Sequence, residues 1–160
     1  MICSGKLRWL EKNRRERDKQ MMKIILDTNT IILGMAFTGN ERKLLDAIYK
    51  NKEFLILSEY IVSETKKVLS KKFTGAEKLF DRFLTHLQYE IMPYPSKDKV
   101  KEAEKIVRDP KDAVILATVL EVKPDIFVSG DLDFHTSEVT LLTNVMHPKE
   151  AIAMIEYQTK

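Results

Sequence analysis

Four acidic residues of this 160-residue chain are spaced so that an α/β sheet would gather their carboxylates at one edge. They are Asp27, Glu64, Asp112 and Asp131. Asp27 and Asp131 each follow an apolar, β-type run, at residues 24–26 and 126–128. Ligand sites in open α/β sheets form outside the carboxyl ends of the strands. Because Mg²⁺ and Mn²⁺ prefer oxygen ligands, the four acids predict a divalent-metal site.

The turn after the first of these runs combines three polar side chains. Asp27, Thr28 and Asn29 follow one another and place a carboxylate, a hydroxyl and an amide in one turn. Such a turn can bind a metal ion and hold its water shell, so Thr28 and Asn29 are expected to support the site. The structural alternative is that Asp27 caps the helix that follows.

Glu64 lies inside a predicted helix over residues 60–72, for which Ser58 or Ser63 is the candidate N-cap. Lysines recur directly after it and form a basic stripe along which a phosphodiester backbone can lie. The stripe comprises Lys66, Lys67, Lys71 and Lys72, of which the first three are the predicted backbone contacts. The alternative is an ordinary solvated helix face, on which Glu64 also points to water.

Asp112 belongs to the tetrapeptide DPKD, which also reads as the start of a helix. With Asp109 as N-cap and Pro110 at the first helical position, Asp112 falls where an acid reaches back to the cap. The two roles are compatible, because a helix N-terminus favours the ionised carboxylate that a metal requires.

Asp131 follows Ser129 and Gly130, and Asp133 comes two residues later. Gly130 permits a tight turn, and the Ser129 hydroxyl can bond a carboxylate or a phosphate, so Ser129 is a second expected supporting residue. A plain turn uses the same residue types. Asp133 is expected to be a surface turn acid in a supporting position and not a ligand.

The elements that must position these residues alternate between β-type and helix-type segments. Strands are predicted at residues 22–26, 54–57, 90–92, 125–129 and 139–142. Helices are predicted at residues 41–50, 60–72, 75–88, 98–107 and 110–121, with a terminal helix from Pro148. This alternation predicts an α/β domain with a mainly parallel sheet of about five strands and helices on both faces.

Charge divides the chain at residue 20. Residues 1–20 contain seven Lys/Arg and three acids, a net charge of +4, so residues 21–160 carry −1 of the total of +3. We expect a basic N-terminal extension over 1–20 ahead of one domain over 21–160. The extension either touches nucleic acid, is a solvated appendage, or precedes a start at Met21 or Met22.

Composition excludes several other classes of site. The lone Cys3 cannot form an internal disulfide, and the three histidines are too far apart for a zinc pattern. No apolar run reaches the length of a membrane span, and the N-terminus lacks the apolar core of a signal peptide. We therefore expect a cytoplasmic protein with no membrane contact.

From about Met22 onward, the chain resembles the PIN domain family, the nuclease fold of VapC-like toxins. The matching segments are ILDTN, SETKKVL, DPKDAVILA and VSGDLDF, in the family's order. The resemblance implies a three-layer α/β/α fold and metal-dependent cleavage of RNA, with Asp27, Glu64, Asp112 and Asp131 as catalytic metal ligands and Mg²⁺ or Mn²⁺ as cofactor. It also implies a small antitoxin partner and a homodimer.

Two alternatives remain at the level of sequence. One is a PIN-like module that binds RNA or protein without cutting, which the complete acid set disfavours. The other is a haloacid-dehalogenase-type phosphatase, whose chemistry requires a second acid two residues after Asp27. That position is Asn29, and the Gly130-Asp131-Leu132-Asp133 segment departs from the loop expected of such enzymes.

Overall fold

The computed structural model describes residues 21–158, in which five strands form a single parallel sheet. The strands are β1 (Lys23–Leu26), β2 (Phe54–Ser58), β3 (Gln88–Met92), β4 (Ile126–Val128) and β5 (Val145–Met146). Their order across the sheet is β3-β2-β1-β4-β5, and every neighbouring pair is parallel. The predicted α/β class with a five-stranded parallel sheet is confirmed.

Helices flank the sheet, as the three-layer arrangement requires. They are α1 (Thr28–Ala36), α2 (Asn40–Lys50), α3 (Glu59–Lys72), α4 (Ala76–Thr85), α5 (Lys97–Glu104), α6 (Pro110–Val122), α7 (Ser137–Leu142) and α8 (Pro148–Gln158). A short 3₁₀ helix spans Leu132–Phe134. Each helix buries one side against the sheet or a neighbouring helix, and the buried apolar residues form one continuous core.

The centre of the sheet is where the chain changes direction. From β1 the chain builds outward through β2 and β3, then returns to add β4 and β5 on the other side of β1. Leu26 pairs with Val128, and the amide of Asp27 donates to the Val128 carbonyl at 3.1 Å. Side chains that follow β1 and β4 therefore meet at a switch point, the usual ligand position in such sheets.

The strands at this point are apolar because both faces of the sheet are covered. Ile24, Ile25 and Leu26 of β1 are completely buried, and so are Phe127 and Val128 of β4. A parallel sheet with helices on both faces produces such uninterrupted apolar runs. These apolar runs are the pattern that predicts β1 and β4 from the sequence.

The predicted strand at residues 139–142 is wrong. Residues Ser137–Leu142 form α7, and the last strand is Val145–Met146. The Thr136 hydroxyl accepts a hydrogen bond from the Val139 amide at 3.3 Å and caps a helix there. This local cap overrides the β-type character of Val139 and Thr140, so β4 pairs with residues farther along the chain.

Helices α1 and α7 and the 3₁₀ helix were not among the predicted helices. Apart from the strand at residues 139–142, the predicted elements lie within a few residues of their observed bounds. The predicted extension over residues 1–20 lies outside the described residues, so the boundary at residue 20 stays a prediction. Between residues 21 and 158, every helix is too short or too polar to cross a bilayer.

Candidate functional site

The four acids singled out in the sequence line one pocket at the carboxyl ends of β1 and β4. Asp27, Glu64, Asp112 and Asp131 all border this cavity of about 430 Å³, together with Thr28 and Asn29. We call it the acidic pocket. Glu64 and Asp112 lie on the helices α3 and α6, whereas Asp27 and Asp131 lie in the loops that follow β1 and β4. The parallel sheet thus brings together residues more than a hundred positions apart in sequence.

Asp27 is the most deeply placed of the four, with only 3% of its surface exposed. One carboxylate oxygen accepts from the Thr30 amide at 2.7 Å, and the other accepts from the Ser129 hydroxyl. Asp27 therefore caps α1 and borders the acidic pocket at once. Burial raises the pKa of this carboxyl group, and the hydrogen bonds from Ser129 and Thr30 partly oppose that rise.

Ser129, fully buried at the end of β4, links the two sides of the acidic pocket. Its hydroxyl donates to Asp27 and accepts from the amide of Asp131 at 3.0 Å. Ser129 thus orients a carboxylate from β1 and the turn that carries a carboxylate after β4. The Ser129 hydroxyl bonds a carboxylate, one of the two contacts expected of it, and its supporting role in a functional site stays a prediction.

Three carboxylates converge at the rim of the acidic pocket. Asp112, Asp131 and Asp133 each offer one oxygen, and these oxygens lie within 4.8 Å of one another. We call this group the aspartate cluster. The Asp133 amide donates to the Asp131 carboxylate at 2.9 Å, which folds the short turn inward. Asp133 is exposed, as expected of a turn acid, but its carboxylate also faces the two predicted ligands.

Burial and neighbouring negative charges together raise the pKa of Asp112. Partial burial, followed by the charges of Asp131, Asp109, Asp133 and Asp27, raises the pKa of Asp112 to about 6. Charges of the acidic pocket, after burial, also raise the pKa of the neighbouring Tyr60 to about 12. A cation bound between these groups would relieve the repulsion.

The helix start at DPKD is confirmed in part. Asp109 is the N-cap of α6, accepting from the Lys111 amide at 2.8 Å, and Pro110 is the first helical residue. Among the described residues, no hydrogen bond connects the Asp112 carboxylate with the backbone of Asp109. Asp112 therefore does not reach back to the cap, and its oxygens remain available to a ligand in the acidic pocket.

Helix α3 presents one face to the acidic pocket. Its N-cap is Ser58, whose hydroxyl accepts from the Ile61 amide at 3.1 Å, which excludes Ser63. The residues facing the pocket recur every four positions, as expected for one side of a helix. They are Tyr60, Glu64, Val68 and Lys72. Glu64 is half-buried there and does not simply face water.

The lysines of the basic stripe do not all face the acidic pocket. Lys72 lines the acidic pocket, whereas Lys66 pairs with Asp81 of α4 at 3.3 Å. Lys67 and Lys71 are exposed on α3 and do not border the cavity. Lys111 of α6 does, which sequence reasoning missed. Lys72 lies eight residues, two steps of four, after Glu64, and this spacing was the available signal for Lys72.

The side chains present fit a divalent cation. The donors offered by the aspartate cluster are all carboxylate oxygens, the type that Mg²⁺ and Mn²⁺ bind. Thr28 lines the same pocket, and its hydroxyl is buried without a hydrogen-bond partner among the described residues. Native proteins rarely leave such a group unpaired, so this hydroxyl is consistent with a hydrated ligand in the pocket.

The sequence model described as the PIN domain matches residues 23–133, a range that includes all four acids. The resemblance drawn from the motifs is thereby confirmed. A comparison with curated protein sequences found no match.

Several solved structures share the fold. VapBC2 from Rickettsia felis, bound to a DNA fragment from their promoter, is 16% identical with a TM-score of 0.59 over 79% of this chain and 98% of that one. FitAcB from Neisseria gonorrhoeae is 16% identical with a TM-score of 0.57 over the same shares. VapC20 from Mycobacterium tuberculosis, a sarcin-ricin loop cleaving toxin, is 18% identical with a TM-score of 0.54 over 70% of this chain and 92% of that one. Likeness at these identities establishes the fold.

Proposed function

We propose that this chain, which belongs to the PIN domain family, is a divalent-metal-dependent endoribonuclease that hydrolyses phosphodiester bonds of RNA in the acidic pocket. The observation that carries the proposal is the convergence of Asp27, Glu64, Asp112 and Asp131 on one cavity at the switch point of the sheet. A pocket whose walls supply several carboxylates is suited to a cation that in turn binds phosphate.

The residues of the aspartate cluster would hold Mg²⁺ or Mn²⁺, with Asp27 and Glu64 completing the ring of carboxylates. A bound cation supplies the positive charge that activates a water molecule and stabilises the leaving oxygen. The acids act as ligands and not as nucleophiles. Asn29 and the unpaired hydroxyl of Thr28 also line the pocket, where they would orient water.

The chain prepares these carboxylates before any ligand arrives. Asp27 is held by Ser129 and by the start of α1, so its orientation is fixed by the fold. Asp112 has a pKa of about 6, so this group must lose its remaining proton when a cation binds. The fold therefore orients Asp27 by hydrogen bonds, and protons compete with a cation at Asp112.

Positive charge for the RNA backbone is provided at the rim. Lys72 and Lys111 enter the acidic pocket from α3 and α6, where each can contact a phosphate beside the cleaved bond. Lys67 and Lys71 extend this surface along α3, and Lys66 is held by Asp81 away from the cavity. Loss of these side chains weakens RNA binding in a salt-dependent manner.

We extend the proposal to the biological role: the chain is the toxin of a toxin–antitoxin pair, with a small antitoxin as partner, and it works as a homodimer in the cytoplasm. The support is the shared fold with VapC20, a toxin that cleaves the sarcin-ricin loop, and with VapBC2 bound to promoter DNA. A neighbouring reading frame encoding a small protein that copurifies with the chain is the expected observation.

The experiment is cleavage of RNA by the purified protein with Mg²⁺, with Mn²⁺, and with EDTA in excess. We expect products with either metal and none with EDTA. A protein that binds RNA yet leaves it intact under all three conditions would be a silent binding module, contrary to the proposal. Asp46 lies exposed on α2, so Asp46→Asn is the matched control for each acid substitution in the pocket.

A further inference from the structure

We propose that His135 is a positioning residue for the aspartate cluster, and that His147 holds the His135 ring in place. The inference rests on the proposed function, since it concerns how the same site is kept ready for a cation. His135 touches no ligand in this account. It acts through Ser129 and through the turn between Ser129 and itself.

The first step is the state of Ser129, all of whose polar groups are engaged. Its amide donates to the Met146 carbonyl at 3.0 Å, and its hydroxyl donates to Asp27 and accepts from the amide of Asp131. The remaining group is its carbonyl, which lies 2.6 Å from Nε2 of His135. A buried carbonyl without a donor is unfavourable, so this contact satisfies the last polar group of Ser129.

The second step is the direction of that hydrogen bond. A carbonyl oxygen can only accept, so Nε2 of His135 must carry the proton. The bond connects the first and last residues of the segment from Ser129 to His135. Asp131 and Asp133, two members of the aspartate cluster, lie within that segment. The His135 bond therefore closes the loop that presents their carboxylates to Asp112.

The third step is the support of the histidine ring itself. The rings of His135 and His147 are stacked, with centroids 3.7 Å apart and planes 3° from parallel. His147 follows β5, and its amide donates to the Glu150 side chain at 3.1 Å at the start of α8. Because β5 pairs with β4 and α8 buries Pro148, Ala151 and Ile155, His147 is attached to the core, and the stack gives the His135 ring a fixed support.

The residue next to His135 offers another explanation for how the turn is held in place. Phe134 is 1% exposed and packs edge-on against Phe127 of β4, with ring centroids 5.0 Å apart, so it also anchors the turn. If the packing of Phe134 alone fixed the turn, the positions of the Asp131 and Asp133 carboxylates would not depend on the hydrogen bond of His135. Apolar packing does not set the angle of a backbone carbonyl, whereas a hydrogen bond to that carbonyl does.

The test is the dissociation constant for Mn²⁺ in the absence of RNA. It is measured by calorimetry or by the loss of the electron paramagnetic resonance signal of free Mn²⁺. We expect His135→Leu to weaken Mn²⁺ binding by about tenfold, the low end for residues that orient metal ligands. His135→Gln keeps an N–H donor and is expected to stay near the parent. His147→Leu should lie between the two, and His147→Phe, which keeps a stacking ring, should recover most of the loss.

The matched control is His86→Leu, which removes an exposed histidine that contacts Tyr49 away from the acidic pocket. It should bind Mn²⁺ as the parent does. The inference is overturned if folded His135→Leu binds Mn²⁺ with the parental constant. Should that variant not fold, equal Mn²⁺ binding by His147→Leu and the parent overturns it instead.

Failure of the two ideas can be told apart. A parent protein that binds no Mn²⁺ contradicts the proposed function and this inference together. A parent that binds Mn²⁺ and cuts RNA, with His135→Leu indistinguishable from it in metal affinity, contradicts the inference alone. If the inference holds, the RNA cleavage rates of His135→Gln and His135→Leu rank in the same order as their Mn²⁺ affinities.

Discussion

Asp27 and Ser129, 102 positions apart in sequence, share a buried hydrogen bond across the ends of β1 and β4. The Ser129 hydroxyl donates a hydrogen bond to the Asp27 carboxylate and accepts one from the amide of Asp131. The bond therefore links the acid that follows the first strand with the turn that carries the acids after the fourth. Disturbing it should affect both stability and the geometry of the acidic pocket.

Replacing Ser129 with alanine tests this link. The substitution leaves a buried Asp27 oxygen and the Asp131 amide without partners, so we expect a loss of about 1–3 kcal/mol in the free energy of unfolding. RNA cleavage per folded molecule should also fall. Chemical denaturation of Ser129→Ala and of the control Ser70→Ala, an exposed serine on α3, measures the difference. Equal losses in the two variants would contradict the assigned role.

Neutralising the acids separates ligand from scaffold. We expect Asp27→Asn, Asp112→Asn and Asp131→Asn each to reduce RNA cleavage by at least about a hundredfold, as when a metal ligand is lost. The carboxamide keeps the shape and removes charge, so the stability of Asp112→Asn and Asp131→Asn should change little or rise. Asp27→Asn replaces one of two buried acceptor oxygens with a donor, so this variant should lose stability. Initial cleavage rates and unfolding curves taken on the same preparations give both quantities.

Asp112 is the sharpest of these cases because Asp109 already supplies the helix cap. Asp109→Ala should lower the free energy of unfolding by about 0.5–2 kcal/mol, the usual cost of losing an N-cap. Asp112→Asn should not. An Asp112→Asn protein that loses stability by that amount while cutting RNA at the parental rate would make Asp112 a structural acid.

The pH dependence of stability follows from the raised pKa of Asp112, which is about 6 in the folded protein against an ordinary value of 3.8. Since the folded state holds this proton more tightly, the stabilising contribution is complete below the unfolded pKa and is lost as pH rises through about 6. Metal-free protein should therefore lose stability over this window, and Asp112→Asn should lose less. Asp27, whose pKa burial also raises, accounts for a remaining slope.

The same proton predicts how metal affinity varies with pH. Mn²⁺ competes with the Asp112 proton, so its apparent affinity should rise as pH increases toward about 6 and then level off. Calorimetric titrations at a series of pH values measure this, with proton release on binding in the lower part of the range. A Mn²⁺ affinity that does not change between about pH 5 and 7 would contradict the assignment of Asp112 as a metal ligand.

An aromatic side chain marks one rim of the acidic pocket. Tyr60 lines the cavity and contacts Tyr94 edge-on, with ring centroids 5.7 Å apart, and Tyr94 is 55% exposed. Because unpaired bases stack on exposed aromatic rings, Tyr94→Leu should weaken binding of unpaired RNA by about 1–3 kcal/mol, and Tyr94→Phe should not. Tyr49→Leu, an equally exposed ring beside His86, is the control for fluorescence anisotropy measurements.

Much of this arrangement could be predicted because the signals were local. The buried strands β1 and β4 were visible as apolar runs, and the cap at Asp109 and Pro110 was visible as a helix start. Since parallel strands place their carboxyl ends on one edge, the meeting of Asp27 with Asp131 followed from the topology.

The remaining features depend on contacts that no local pattern contains. Helix α1 is apolar on most of its surface and lacks a helical stripe, so its period gave no signal. The positions of Asp133, Lys111 and His135 depend on how the turn after β4 folds back and on which helix faces it. Such placement is set by tertiary packing and cannot be read from spacing alone.

The central claim is tested most directly by Mn²⁺ binding and RNA cleavage measured on one preparation each of the parent and of Asp131→Asn. The account predicts that the parent binds Mn²⁺, gains thermal stability from it and cuts RNA, with EDTA abolishing all three effects. Asp131→Asn should bind the metal far more weakly and cut at least about a hundredfold more slowly while remaining folded. Parental metal binding and cleavage by folded Asp131→Asn would contradict the assignment of the acidic pocket as the metal-dependent nuclease site.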